Sequence, residues 1–156
     1  MRPVLLAAAW LACVCPALAE MRDEEHIVGD RMVRVSVMDT VEIMTAGPTE
    51  DAQSQVLSGA DIEIVLFAAD ADSVALLGQP VLVAEVTGTH SCDEGDARAY
   101  WVVTLGEVPA PEGPLTSCEE LLPSITAGQV VLEADPMGDG AFWAWAPGKG
   151  WTGRAD

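Results

Sequence analysis

Basic residues are scarce in this chain. Its 156 residues include 7 Lys and Arg against 25 Asp and Glu, which gives a formal net charge of −18, and Lys149 is the only lysine. Proteins bind nucleic acids and anionic lipid surfaces largely through Lys and Arg, which displace counterions from phosphates. The composition therefore excludes DNA, RNA and membrane-surface binding. It leaves a cationic partner, a divalent metal or simple solubility as explanations of the charge.

The chain also lacks a long apolar segment. Its longest apolar run, residues 4–14, is far shorter than the roughly 20 residues of a transmembrane helix. This run follows Arg2 and precedes small residues at 17–19, which is the pattern of a cleavable signal peptide. We expect residues 1–19 to be removed as a signal peptide, which places the mature chain in the periplasm or outside the cell without a transmembrane anchor.

Lipidation at Cys13 is the competing interpretation of the same leader. A lipoprotein signal is cut directly before a cysteine that then carries the lipid. Trp10 is bulky where such signals usually carry leucine, and Cys13 lies inside the apolar run rather than after it. Cleavage after Ala19 is therefore the favoured prediction.

Cysteine is rare beyond the leader, where only Cys92 and Cys118 occur. An even pair of cysteines in an oxidising compartment predicts one disulfide bond. With His26 and His90, these cysteines show none of the short paired spacings of zinc sites, and oxidised cysteines cannot act as nucleophiles. We therefore predict no metal site, no cofactor and no catalytic residue.

Domain organisation follows from length, charge and hydrophobic content. Without Arg2 the mature chain has 6 basic against 25 acidic residues, a formal charge of −19. Because half of all residues are hydrophobic, the chain is expected to fold despite this charge. We predict a flexible acidic tail at 20–26 and a single β-rich domain over 27–156.

Alternation of apolar and polar residues predicts about seven strands. Val33, Val35 and Val37, for example, are separated by polar side chains. The predicted strands are 32–37, 41–44, 61–67, 81–87, 99–105, 129–134 and 141–146, and capping patterns predict short helices at 49–57, 70–77 and 117–122. Loops are predicted at 88–96 and, because it is rich in proline, at 109–114. The fold class is mainly β, a single antiparallel β-barrel or sandwich with two or three short helices.

Aromatic residues make up only 5% of the chain, yet three of its five tryptophans, Trp143, Trp145 and Trp151, lie close together. Exposed tryptophans could stack on sugar rings or hold an apolar side chain of a partner. The alternative is that they fill the core, which is favoured because a domain of this size needs its few rings inside.

Three clusters of acidic residues are the best candidates for a calcium site, because calcium prefers oxygen ligands. They lie at Asp70 and Asp72, at 93–96, and at Asp135 and Asp139. None of them completes the twelve-residue calcium loop, so solvated turns and helix caps are the expected roles of these aspartates. The many acidic residues neither predict nor exclude the paired carboxylates of a glycosidase. Such a pair is identified by the distance between its two carboxyl groups across a cleft, which the sequence does not give.

Four short motifs lie between residues 90 and 151, namely Cys92, Tyr100-Trp101-Val102-Val103, Cys118-Glu119-Glu120 and Gly140-Ala141-Phe142-Trp143. This series of motifs resembles small exported bacterial proteins with a paired-cysteine β-domain. The resemblance implies a disulfide-linked β-domain and implies no activity.

Together these features favour a non-enzymatic exported domain that binds another macromolecule or serves the cell envelope. A basic protein, such as a lysozyme drawn in by charge, and an envelope glycan are the candidate partners. The alternative is a small glycan- or peptidoglycan-directed hydrolase using paired carboxylates. The candidate binding residues are Asp93, Glu94, Asp96, Glu119, Glu120, Trp143, Trp145 and Trp151.

Overall fold

The computed structural model describes residues 22–92, 95–134 and 142–154. They form three antiparallel sheets of four strands each, in which consecutive strands are neighbours. The N-terminal sheet contains β1 (Asp23–Val28), β2 (Arg31–Met38), β3 (Val41–Gly47) and β4 (Ser54–Gly59). The central sheet contains β5 (Asp61–Ala68), β6 (Val81–Cys92), β7 (Gly95–Thr104) and β8 (Ala110–Ser117). The C-terminal sheet contains β9 (Leu122–Thr126), β10 (Gln129–Glu133), β11 (Phe142–Ala146) and β12 (Gly150–Arg154).

The central sheet is buried on both faces. Leu82 and Ala84 of β6 belong to an apolar cluster shared with the N-terminal sheet, whereas Val81 and Val83 belong to a second cluster shared with the C-terminal sheet. A strand covered on both sides has apolar residues at successive positions instead of every second one. This explains the uninterrupted apolar run at the start of β6, and it makes the fold a stack of three sheets.

Close packing of the N-terminal and central sheets requires a glycine at position 59. A Cβ atom at Gly59 would lie 2.2 Å from a methyl carbon of Val86. No side chain fits at that distance, so the backbone of β4 approaches β6 only because Gly59 has no side chain.

The single α-helix of the described residues, α1 (Ala71–Leu77), connects β5 with β6 and buries Leu77. The Asp70 side chain accepts hydrogen bonds from the backbone of Asp72 and Ser73, and Gly78 follows in a left-handed conformation. These are the cap residues expected from the sequence. Helix α1 has seven residues, and within the described ranges no helix is long and apolar enough to cross a membrane.

The segment predicted as a flexible tail is structured from Arg22 onward. Residues 23–26 lie in β1, and the guanidinium of Arg22 contacts Glu24 at 3.0 Å, Glu42 at 3.3 Å and Asp61 at 3.1 Å. The carboxylate of Glu42 is buried and also accepts a 2.6 Å hydrogen bond from the backbone of Ile62. Arg22 thus joins the start of β1 to both the N-terminal and central sheets, a contact between distant residues that the local charge pattern does not reveal.

The mainly β fold is confirmed, but the predicted count of seven strands and the closed-barrel alternative are wrong. The described residues contain twelve strands, and none of the three sheets closes on itself. The predicted helix 49–57 is reduced to a 3-10 turn at Glu50–Ala52, because the side chain of Thr49 makes no capping hydrogen bond. The rest of the segment enters β4, where Leu57 is buried and lies opposite Met44 of β3.

Two segments predicted as loops are strands of the central sheet. Most of 88–96 belongs to the β6–β7 hairpin, and the proline-rich connection forms β8. Pro111 and Pro114 are compatible with β8 because it lies at the edge of the sheet, where one side of the strand needs no hydrogen-bond donors. The helical turn predicted at 117–122 is also absent, although the Ser117 hydroxyl does accept a hydrogen bond from the backbone of Glu119.

Candidate acidic face beside the disulfide

The predicted disulfide is confirmed. Cys92 and Cys118 are bonded, with their Cα atoms 5.8 Å apart. The bond connects the end of β6 to the segment that follows β8. It therefore ties the β6–β7 hairpin to residues 118–121, which lead from the central sheet to the C-terminal sheet.

The disulfide places two acidic stretches on the same part of the surface. Asp96 pairs with Ser91, the residue before Cys92, while Glu119 and Glu120 directly follow Cys118. All three acidic side chains are exposed. We call this region the acidic face. Asp93 and Glu94, which the sequence analysis assigned to the same region, lie outside the described residues.

One arginine lies within the acidic face. The guanidinium of Arg98 forms a hydrogen-bonded ion pair with Glu85, and its second nitrogen is 3.9 Å from the carboxylate of Glu120. Burial disfavours the charged form of Arg98, but the hydrogen bond and charge of Glu85 outweigh this effect, so the pKa of Arg98 is raised. Because Glu85 is only 4% exposed, Arg98 mainly compensates a buried carboxylate, and the side chains of Asp96 and Glu119 remain exposed to solvent.

The sequence analysis missed this ion pair. Glu85 is the one acidic residue in the apolar run that begins β6, and an acidic side chain in such a position needs a partner. That signal was available in the sequence. The identity of the partner was not available in the sequence. Arg98 lies opposite Thr87 in the hairpin, and only the register of β6 and β7 brings it close to Glu85.

Tyr100 lies beneath the acidic face and is fully buried. Its hydroxyl oxygen accepts a 2.8 Å hydrogen bond from the backbone N–H of Leu121, three residues after Cys118. Burial raises the pKa of Tyr100 to about 12, although the hydrogen bond from Leu121 acts in the opposite direction. Tyr100 therefore reports on the contact between the central sheet and residues 118–121.

Titration of Tyr100 gives a direct test, because this is the only tyrosine in the chain. We expect the phenolate absorbance of the folded protein to rise with a midpoint near pH 12 instead of the ordinary 10.0. The folded pKa is raised, so the neutral phenol stabilises the fold fully below pH 10, and about 2–3 kcal/mol is lost as the pH rises from 10 to 12. Urea-unfolded protein is the control and should titrate near pH 10. A folded midpoint near 10 would contradict the buried position of Tyr100.

The three clustered tryptophans face the central sheet. Trp145 is fully buried, and its indole N–H donates a 2.8 Å hydrogen bond to the carboxylate of Glu112 in β8. Trp151 lies opposite Trp145 and donates to the backbone carbonyl of Glu112 at 3.4 Å, while Trp143 packs against Gly153. Trp143 and Trp151 are half-buried against the same apolar cluster. This arrangement corresponds to the core alternative of the sequence analysis, because the rings attach the C-terminal sheet to the central sheet.

The other acidic clusters have structural roles or lie outside the described residues. Asp70 caps α1, and its hydrogen bonds with Ser73 lower the pKa of its carboxyl group. Asp135 and Asp139 fall outside the described ranges. Among the residues that the structure covers, no three His, Cys, Asp or Glu side chains are grouped as metal ligands, and no pocket is found.

The chain was compared with protein-family models, curated proteins and solved structures. No protein-family model, no curated protein and no solved structure matches the chain.

Proposed function

We propose that this protein is an exported, non-enzymatic binding domain that captures a cationic protein through the acidic face. The observation that carries the proposal is the position of Asp96, Glu119 and Glu120, which are exposed and held on one part of the surface by the disulfide. The leader pattern and the disulfide support an exported location. A basic enzyme that degrades the cell envelope, such as a lysozyme, has the charge that this face would attract.

The charge of the whole chain supports the same proposal. Two molecules of opposite net charge approach faster than neutral ones, and a local concentration of charge orients the encounter. The formal charge of the mature chain, 6 basic against 25 acidic residues or −19, supplies the long-range attraction. The acidic face supplies a local focus, since Arg98 is the cation that contacts it and is itself paired with Glu85.

The fixed backbone of this region favours a specific contact over diffuse attraction. Asp96 lies in a hairpin of the central sheet, and Glu119 and Glu120 lie between Cys118 and the buried residue Leu121. Acidic side chains on a rigid backbone lose less conformational freedom when a partner binds than side chains on a mobile loop. The proposed contact therefore combines charge with a preorganised framework.

Binding to a basic lysozyme tests the proposal. We expect the association rate constant to fall on the order of tenfold or more between low and physiological ionic strength, because exposed charges are screened over about 8 Å at 0.15 M salt. Neutralising the five acids of the sequence-predicted face should weaken capture strongly, measured by surface plasmon resonance. The substitutions are Asp93→Asn, Glu94→Gln, Asp96→Asn, Glu119→Gln and Glu120→Gln.

A control variant with the same net charge separates a local site from general attraction. It neutralises five exposed acids whose side chains accept no hydrogen bond from any residue that the structure describes, namely Asp39, Asp51, Glu63, Asp72 and Glu107. If the acidic face is the contact, the control should retain most of the affinity. Equal losses in both variants, or salt-insensitive binding by the unmodified protein, would overturn the proposal.

A further inference from the structure

The two cysteines of the disulfide differ in their exposure. Cys118 is exposed, whereas Cys92, the last residue of β6, is half-buried. In thiol–disulfide exchange an attacking thiolate reacts with the sulfur that it can reach, and the other sulfur leaves. The difference in exposure therefore makes Cys118 the cysteine that is attacked and Cys92 the leaving group.

Any thiolate that approaches Cys118 must pass the acidic face. Glu119 and Glu120 directly follow Cys118, and Asp96 lies in the hairpin to which the disulfide ties it. Within the part of the chain that the structure describes, Arg98 is the one cation in contact with these carboxylates, and it is already paired with a buried acid. The charge around the bond is thus negative on balance.

We propose that the acidic face makes the disulfide selective for the charge of its reductant, so that anionic thiols react slowly and cationic thiols react fast. The thiolate forms a bond with the sulfur of Cys118, and the electron pair of the broken S–S bond leaves on the sulfur of Cys92, which takes up a proton from water. A second thiolate then attacks the reagent's sulfur in the mixed disulfide. Cys118 leaves as a thiolate, and the reagent is oxidised to its own disulfide.

The size of the selectivity follows from the charges of the reagents. Besides its thiolate, glutathione carries a net negative charge and cysteamine carries an ammonium group. Two unit charges about 8 Å apart in water change a rate by roughly twofold at low ionic strength. Several carboxylates act together on a difference of two charges, so the preference for cysteamine should be on the order of tenfold. Salt should reduce it, because the Debye length falls to only a few Å near 1 M.

The fold keeps the two cysteines close after the bond opens. Leu121, three residues after Cys118, is buried and donates a 2.8 Å hydrogen bond to the hydroxyl of Tyr100. The thiolate of Cys92 therefore stays near the mixed disulfide and can displace the small thiol again. The bond is thus a reversible exchange site whose opening depends on which thiols can approach it.

The test is reduction of the purified, oxidised protein by excess cysteamine and by excess glutathione, in about 0.02 M and about 0.5 M sodium chloride. Samples are quenched with acid, alkylated and analysed by mass spectrometry. Rate constants per thiolate are divided by those for uncharged hydroxyethyl disulfide, which removes the intrinsic reactivity of each reagent. We expect the preference for cysteamine to be on the order of tenfold at low salt and to fall severalfold at high salt. The mixed disulfide should map to Cys118, and an adduct on Cys92 would overturn the assignment of the attacked sulfur.

Two variants with the same net charge localise the effect. Glu119→Gln/Glu120→Gln should lower the preference severalfold, mainly through faster reaction with glutathione. Asp39→Asn/Asp51→Asn neutralises two exposed acids in turns of the N-terminal sheet and should leave the preference nearly unchanged. Equal effects of both variants, or a preference no greater than that of the reference disulfide, would overturn the proposal. A bond that reacts with neither thiol in the folded protein would also overturn it. No protein partner takes part in this assay, so its result does not depend on capture of a cationic protein by the acidic face.

Discussion

Replacing Trp145 with alanine is expected to lower the free energy of unfolding by about 3–5 kcal/mol. Trp145 is fully buried and lies in the apolar cluster between the central and C-terminal sheets. Its removal leaves a cavity that the strands cannot close, because they are held by their hydrogen-bonded neighbours. It also leaves the partly buried carboxylate of Glu112 without the indole N–H donor. Urea denaturation followed by circular dichroism measures the loss.

Phe142→Ala is the matched control for this prediction. Phe142 lies in the same strand as Trp145, but it points to the outward side and is 36% exposed. We expect its truncation to cost about 1 kcal/mol or less, because water already reaches the ring. Similar losses of unfolding free energy for both variants would contradict the structure, in which Trp145 faces the core and Phe142 faces outward. Trp145→Phe should fall between them, since it keeps much of the ring but removes the donor to Glu112.

The elements that the sequence predicted best depend on short-range signals. The bounds of α1 followed from Asp70 and Gly78, which act within one helical turn, and β2 followed from three alternating valines. Such patterns are complete within a few residues, and distant packing does not change them. The disulfide was predictable for a different reason, since Cys92 and Cys118 had no other partners after residue 19.

The missed strands depend on long-range pairing. The sequence of β1 is charged and that of β8 contains two prolines, so both resembled loops. Each is nevertheless an edge strand, with a neighbour on one side and solvent on the other. An edge strand tolerates polar residues and proline, and local composition therefore does not distinguish it from a loop. Strand β12 was missed because its two glycines and its short length resemble a turn.

In the candidate site, too, some features follow from short-range sequence signals and others depend on long-range strand pairing. The nearness of Glu119 and Glu120 to the β6–β7 hairpin followed from the disulfide, which sequence reasoning supplied. The ion pair of Arg98 with Glu85 required the strand register, and the contact of Tyr100 with Leu121 required the path of the chain between two sheets.

Removing the disulfide is expected to lower the free energy of unfolding by about 3–4 kcal/mol. The bond joins residues separated by 26 positions, and closing a loop of that length restricts the unfolded chain far more than the native one. The variant Cys92→Ala/Cys118→Ala should therefore show a lower urea midpoint than the oxidised protein. Reduced wild-type protein, which lacks the same cross-link, should match the variant. A loss below about 1 kcal/mol would mean that the bond barely restricts the unfolded chain.

Tyr100 shows whether that loss arises in the unfolded or the native state. Leu121, which donates to the Tyr100 hydroxyl, is itself buried, so the apolar cluster can hold it in place without the bond to Cys118. If the disulfide acts on the unfolded chain, the phenol of the folded double variant should still titrate near pH 12. A midpoint shifted toward 10 would mean that the bond also holds residues 118–121 against the central sheet. Stability would then fall because native packing is lost, and the acidic face would lose the fixed backbone on which its proposed partner depends.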